Sequence, residues 1–408
     1  MRTAGIELGA NMAGIASANA IDDAASSLER VLAAWNDLSP SARYFFQTVS
    51  WVELLTTRCT SDVVWHVTLR GGRAIFVSIL RRRLLSLGGI RLRILTSLRP
   101  VPQMPPFADS LIDLDAATHL DFGDIANDLE PWHALRLRGL RAGSPWLKVS
   151  ADNLKIASEP QEGVGFFDTS SSIEERWPTV PKNMRNTIRK ARNRIGKRGQ
   201  IVVATGDAIA AAFDEFVALE AAGWKGHAGT SLAQTPGERE LLREYFVTSD
   251  TAEVRSLHIE GRLAASQLSL KFVGTQFLLK VAYDESVADL SPSHVLFADL
   301  IESCCKDSSV NRIDCIVWQP WHAQWGMTRE PTYDLIAFNR SSAGGWLAMI
   351  GWSLRPRAKY LKAIKSMMKA AGAASVRNKI LVIWRSTRNG SAKLSGDKNN
   401  TGPKPPHY

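Results

Sequence analysis

Glu220 stands where a carboxylate is costly. In the stretch 213–232, FDEFVALEAAGWKGHAGTSL, an advance of about 100° per residue puts Phe213, Phe216 and Val217 on one helical face with Ile209. Glu220 falls in the middle of that stripe. Burial penalises an unpaired carboxylate and raises its pKa. The residue is therefore either a site carboxylate or a Glu at the end of the stripe that snorkels to water or meets a Lys or Arg. Lys225, in Trp224-Lys225-Gly226, is either that cation or a binder of an anionic substrate. Asp284, Asp314 and His322 are the other residues able to take a proton. His322 lies between Trp321 and Trp325, rings that either stack on a sugar or pack in a core. Trp224 reads as an anchor or a substrate platform, and Gln267 as a satisfied sheet polar or a hydrogen-bond partner for substrate. Ser291-Pro292-Ser293-His294 has the form of a helix start, with Ser at the N-cap and Pro at the first position. Amides there lack intrahelical partners and can hold an anion. There is no Ser-His-Asp order, no Gly-x-Gly-x-x-Gly and no metal-ligand cluster, so a metal is not expected.

The elements that must position these groups fall into two units. After a loose arm (1–26), residues 27–160 read as two helices, 27–38 and 45–59, then strands at 63–69, 74–80 and 90–95. A Pro-rich passage (Pro100, Pro102, Pro105, Pro106) leads to a short strand at 111–114, and 132–140 and 146–149 read as closing strands. The second unit, 161–341, opens on a basic helix over 181–198 with eight Lys or Arg and no acid. Its narrow apolar seam is Met184, Ile188, Ala191 and Ile195. The helix is either a solvated face or a patch for phosphates. A strand at 201–204 and the Glu220 helix follow, then a three-strand meander at 253–259, 263–272 and 276–283. The Pro292 helix, a strand at 312–318 and a last strand at 332–339 close that sheet.

Composition sets the class. Of 408 residues, 45% are hydrophobic and 22% charged, as in a soluble globular protein. Four cysteines (Cys59, Cys304, Cys305, Cys315) make no Cys-x-x-Cys pair, and a reducing cytoplasm is the simplest compartment. The net charge of +10 is uneven: residues 351–408 hold 13 Lys or Arg against one acid, +12, which leaves −2 for the rest. Nucleic acid is therefore an unfavoured partner for the body. The segment 342–385 contains a basic amphipathic helix at 356–371, which either packs on the body or lies on an anionic membrane surface. Its place would then be peripheral, at the inner face. Residues 386–408 have a disordered composition.

The order of elements in the second unit resembles the GNAT acyltransferase fold. Glu220, Gly223-Trp224-Lys225-Gly226 and Gly229-Thr230 resemble the signature of the cellulose-biosynthesis (CelD-type) acetyltransferase group. Ala264-Ala265-Ser266-Gln267 and Tyr283-Asp284 ahead of Ser291-Pro292 fit the same group. The likeness covers about residues 30–340 and implies an α/β (α+β) protein of two tandem GNAT-like domains, related to the Fem peptidyltransferases. Each domain would be a mixed, mostly antiparallel sheet flanked by helices. The chain departs from the group at Ser293, where a Gly is usual, and at 318–322, where a Tyr-Lys pair is missing.

What the resemblance implies is an acyltransferase that uses acetyl-CoA or another acyl-CoA. It would act on a small-molecule or glycan acceptor, a sugar or envelope-polysaccharide precursor, by direct transfer. Backbone groups of the strand through Lys280 and Val281 would hold the pantetheine arm, and Ser291, Ser293 and His294 the pyrophosphate. Glu220 would be the first choice of base, with Lys225, Asp284 and His322 as further catalytic candidates, and Trp224, Gln267, Tyr283 and Trp321 would meet substrate. On this view Glu220→Gln leaves folding intact and abolishes turnover. The rival expectations are a Fem-type aminoacyl-tRNA-dependent ligase and a non-catalytic binding protein associated with polysaccharide synthesis.

Overall fold

Alternating apolar residues build two sheets, and helices cover their faces. The computed structural model describes residues 24–353 outside 59–61, 88–89, 99–108, 114, 116–124, 126–128, 130, 149–151 and 153. Cys59, the Pro-rich passage and the expectations for 1–23 and for the basic tail from 354 lie outside the described residues.

The first helices are α1 (Ala24–Asp37) and α2 (Val49–Arg58), followed by β1 (Val63–Arg70), β2 (Arg73–Leu87), β3 (Ile90–Ser97), β4 (Leu111–Ile112) and β5 (Ala134–Arg141). Next come β6 (Leu154–Pro160), β7 (Val164–Asp168), α3 (Ile173–Arg176), α4 (Lys182–Ile195), β8 (Gly199–Ala204) and α5 (Ile209–Ala222). A one-turn helix α6 (Trp224–His227) and α7 (Pro236–Thr248) lead into the meander β9 (Ala252–Ile259), β10 (Arg262–Phe272) and β11 (Thr275–Tyr283). The chain ends its described part with α8 (Pro292–Lys306), β12 (Arg312–Asp314), α9 (Pro320–Gln324), β13 (Thr328–Glu330), β14 (Thr332–Asn339) and α10 (Ala343–Ser353).

One sheet runs β1-β2-β3-β5-β14-β6 with β4 on β2, and the other runs β13-β7-β12-β11-β10-β9-β8. Each has one parallel pair, β3–β5 and β11–β12, among antiparallel neighbours. This is the two-sheet α/β architecture expected from the sequence. The β14 strand corrects that reading in one respect: it does not close the second sheet but enters the first, between β5 and β6. Leu335 and Ala337 there meet Leu135, Leu137 and Leu140 in one apolar cluster. The expected strand at 146–149 is a 3-10 turn, Pro145–Lys148, whose proline has no amide for a ladder. Trp146 is buried there, its indole donating to Ser110 Oγ at 2.6 Å.

The two sheets share a core. Phe45 packs edge-on against Phe277 of β11 with centroids 5.3 Å apart, and Trp51 against Tyr245 of α7 at 4.9 Å. A buried ion pair also crosses between them: Arg141 of β5 reaches Asp314 of β12 at 3.2 Å, with side chains only 4% and 1% exposed. Such a pair is strong only while both members are present.

Candidate active site

The second sheet is open in the middle. β11 pairs with β12 over three residues, Thr275–Phe277 against Arg312–Asp314, and then the two part. Two local features cause this. Leu279 is an extra residue in the β10–β11 ladder, since Leu268 faces Lys280 and Ser269 faces Leu278, and a bulge of this kind bends its strand. On the other side Asp314 Oδ1 accepts the Ile316 amide at 2.8 Å, and Ile316 takes a positive φ of 51°. That backbone is unfavourable for a β-branched residue. It turns the chain toward β7, where the Cys315 and Trp318 amides donate to Gly165 and Gly163 carbonyls at 2.9 and 2.8 Å. The gap is a cleft of about 420 Å³ between α5, the 278–283 edge of β11, α8 and the segment 315–322.

Glu220 projects from α5 and is 2% exposed. Its Oε1 takes the Lys225 ammonium at 2.9 Å and its Oε2 accepts the Leu232 amide at 2.8 Å. Lys225 also donates to the Val281 carbonyl at 2.9 Å, so its head group sits on the open edge of β11. Burial pulls the Lys225 ammonium below the ordinary lysine value, against Glu220, which holds it up. Gly226 makes this turn possible, because a Cβ there would lie 1.8 Å from the Ala221 carbonyl oxygen. A second pair, Lys280 with the buried Glu238 of α7 at 2.9 Å, stands nearby.

Gln267 and His322 differ from these paired groups. Both are fully buried at 0% exposure and both line the cleft. Neither the oxygen nor the nitrogen of the Gln267 amide has a partner among the described residues, nor does His322 Nε2. The Gln319 amide donates to His322 Nδ1 at 3.0 Å, which leaves the hydrogen of the neutral ring on Nε2. Burial lowers the His322 pKa to about 4, so the ring is neutral at pH 7 and offers an N–H. Gly165 admits this ring: a Cβ would meet His322 Nδ1 at 2.4 Å. His294 Nδ1 likewise accepts a hydrogen bond, from Trp325 Nε1 at 3.3 Å.

Most of the residues singled out in the sequence meet in this cleft: Glu220, Trp224, Lys225, Gln267, Lys280, Val281, Tyr283, Ser293, His294, Trp321 and His322. Ser291 lines an adjoining pocket of about 220 Å³ at the start of α8, together with Thr187 of the basic helix α4. There the Ser293 amide finds no backbone partner among the described residues, while those of His294 and Val295 turn back to the Ser291 carbonyl at 3.1 and 3.2 Å. Asp284 is the exception. It lines neither pocket and caps its own turn, accepting the Ser286 amide at 2.9 Å. His322 is corrected in role: with Nδ1 occupied it presents a donor, not a base. Asp314 is a structural ligand of Arg141, Arg312 and the Ile316 amide. Sequence reasoning missed Glu238, which sits three residues after Thr235 just inside a helix start and so has the pattern of an ordinary capping residue.

Residues 182–317 match a family model described as an acetyltransferase (GNAT) domain. No curated protein matches the chain. Among solved structures, a conserved protein of unknown function from Bacteroides thetaiotaomicron is similar at 12% identity over 78% of this chain and 98% of its own, with a TM-score of 0.47. FemX is similar at 11% identity over 74% and 95%, with a TM-score of 0.48. A tandem GNAT protein from the clavulanic acid biosynthesis pathway is similar at 12% identity over 77% and 96%, with a TM-score of 0.35. Over residues 182–317, then, the chain is similar to acetyltransferase domains of the GNAT type.

Proposed function

We propose that the chain is an acyltransferase that takes an acyl group from acyl-CoA, acetyl-CoA foremost, and passes it directly to an amine or hydroxyl of a sugar or envelope-polysaccharide precursor. The observation that carries this reading is the parting of β11 from β12 beside the start of α8, with buried polar atoms left unpartnered in the gap. An acyl-CoA supplies an activated acyl group there. Its pyrophosphate suits the Ser293 amide and the positive end of α8, and its arm suits the apolar wall of Leu278, Val281, Phe297 and Val317.

The chain's own groups then divide the work. His322 Nε2–H and the Gln267 amide are buried donors, and a hydrogen bond from such a donor to an oxygen gaining charge counts for most. The Lys225 ammonium has two of its three hydrogens engaged, by Glu220 and the Val281 carbonyl. The proton released by the attacking acceptor would pass to a Glu220 carboxylate oxygen, since the Lys225 ammonium has no lone pair to receive it.

The test is calorimetric titration of the purified protein with acetyl-CoA and with free CoA. Saturable binding that is lost in Ser293→Tyr supports the reading. Absence of binding by a folded protein overturns it, and aminoacyl-tRNA becomes the next donor to try.

A further inference from the structure

The stretch between Asp62 and Asp109 holds eight arginines and no acidic residue. Its centre is the β2–β3 hairpin, which outruns its neighbours. β1 follows β2 only as far as Arg81, and β5 meets β3 only at Ile94–Thr96. The β2–β3 ladder nevertheless continues to Leu87 opposite Ile90. The outer part is thus a two-stranded ribbon, exposed on one face and partly covered on the other, where Leu92 is 1% exposed.

Those side chains are of two kinds. Leu84 is 62% exposed, Leu85 44% and Ile90 47%. Arg83, Arg91 and Arg93 are exposed among them, and none forms an ion pair with the described residues. Leu84 lies directly opposite Arg93, and Ser86 opposite Arg91, so one face alternates apolar and cationic groups. The other face carries Arg83, Leu85 and Ile90 at its outer positions, with the buried Leu92 between them. Aliphatic side chains left in water at a tip ringed by unpaired guanidinium groups suit a medium with an anionic surface and an apolar interior. A nucleic acid would be served by aromatic platforms, and residues 77–106 contain no aromatic side chain.

We infer that the tip of the β2–β3 hairpin docks the protein on an anionic lipid surface, with Leu84, Leu85 and Ile90 entering the headgroup boundary and Arg83, Arg91 and Arg93 meeting lipid phosphates. The inference is independent of the acyl donor, because the hairpin contributes nothing to the cleft. It would hold the catalytic domain beside acceptors that are themselves carried on lipid.

The experiment is co-sedimentation of the full chain with vesicles of phosphatidylcholine alone and with about one-third phosphatidylglycerol. The basic residues of 351–408 are kept in every protein, so that any binding of theirs is a constant background. Arg83→Gln/Arg91→Gln/Arg93→Gln should weaken partitioning into the anionic vesicles by about fivefold per arginine, on the order of a hundredfold together. Leu84→Ser/Leu85→Ser/Ile90→Ser should weaken it by about tenfold while leaving its salt dependence unchanged. A thermal melt shows that each variant is folded, and the single changes Arg91→Gln and Leu84→Ser replace any triple variant that is not. Partitioning within about twofold of the parent in both classes overturns the inference. So does a result in which the arginine variant loses transfer-RNA binding and keeps its vesicle binding.

Discussion

Glu220→Gln is expected to destabilise the protein, contrary to what its sequence position suggests. The substitution keeps an oxygen for the Leu232 amide, so that bond survives. What it removes is the counter-charge of Lys225, whose side chain is 25% exposed against 1% for Glu220. Breaking a buried pair costs roughly 3–5 kcal/mol, and the partial exposure of Lys225 reduces this to about 2 kcal/mol. Lys225→Met should cost more, about 3–5 kcal/mol, because it strands a carboxylate that is almost fully buried. The double variant Glu220→Gln/Lys225→Met leaves no buried charge and should recover to within about 1 kcal/mol of the parent. A double-mutant cycle by urea unfolding at pH 7 measures this directly, as a coupling energy of several kcal/mol. If Glu220→Gln unfolds within about 0.5 kcal/mol of the parent, the pair carries no structural load and the reasoning fails. Loss of acyl transfer in a variant that remains folded would separate its chemical part from its structural one.

Gln267→Leu removes an amide with no partner among the described residues, so it should leave the unliganded protein as stable or about 1 kcal/mol more so, while abolishing transfer; melting curves and single-turnover assays check the two halves. The His322 pKa is held at about 4 against an ordinary value near 6.5, so the unfolded chain binds the extra proton first as the pH falls. Stability should therefore decline between pH 6.5 and about 4, by up to about 3 kcal/mol, and His322→Asn should flatten that slope in pH-dependent unfolding. Asp109 behaves in the opposite sense: burial raises its pKa to about 6, so its contribution is present in acid and lost as the pH rises through that value. Asp109→Asn should then raise the melting midpoint at pH 8 and leave it unchanged at pH 4. Asp314→Asn strands Arg141, whose side chain is 4% exposed, and should cost about 3–5 kcal/mol in chemical unfolding.

The cleft was legible in the sequence because its residues sit at marked places: a carboxylate on an apolar stripe, a Ser-Pro helix start, a His among tryptophans. The ion pair between Glu220 and Lys225 was one of two readings that local spacing could not separate, since both residues are close in the chain whichever holds. Asp284 misled because a carboxylate after a strand has the same appearance whether it faces a cleft or caps the following turn. The role of His322 depended on the Gln319 amide, a backbone bond that side-chain identities do not disclose. Among elements, α7 and β6 were not anticipated. Pro236-Gly237 disguises the helix start, and the exposed, charged LKIASEP lacks the apolar alternation of a core strand. The placing of β14 could not be read at all, because two sheets with similar apolar faces compete for it and only packing decides.

That strand sets an order of events during synthesis. Residues 134–141 and 154–160 leave the ribosome early, yet the strand that joins them is made from residues 332–339. Until then β5 and β6 each present an unpaired edge, open to pairing with another chain. The first sheet can therefore be completed only after the second sheet's strands have been translated. Contacts of such long sequence separation are slow to form. A fragment ending before β14 should accumulate with both edges bare and aggregate, whereas one ending after Asn339 retains the strand. Nascent chains stalled at successive lengths would show the first sheet gaining protease resistance only beyond that point.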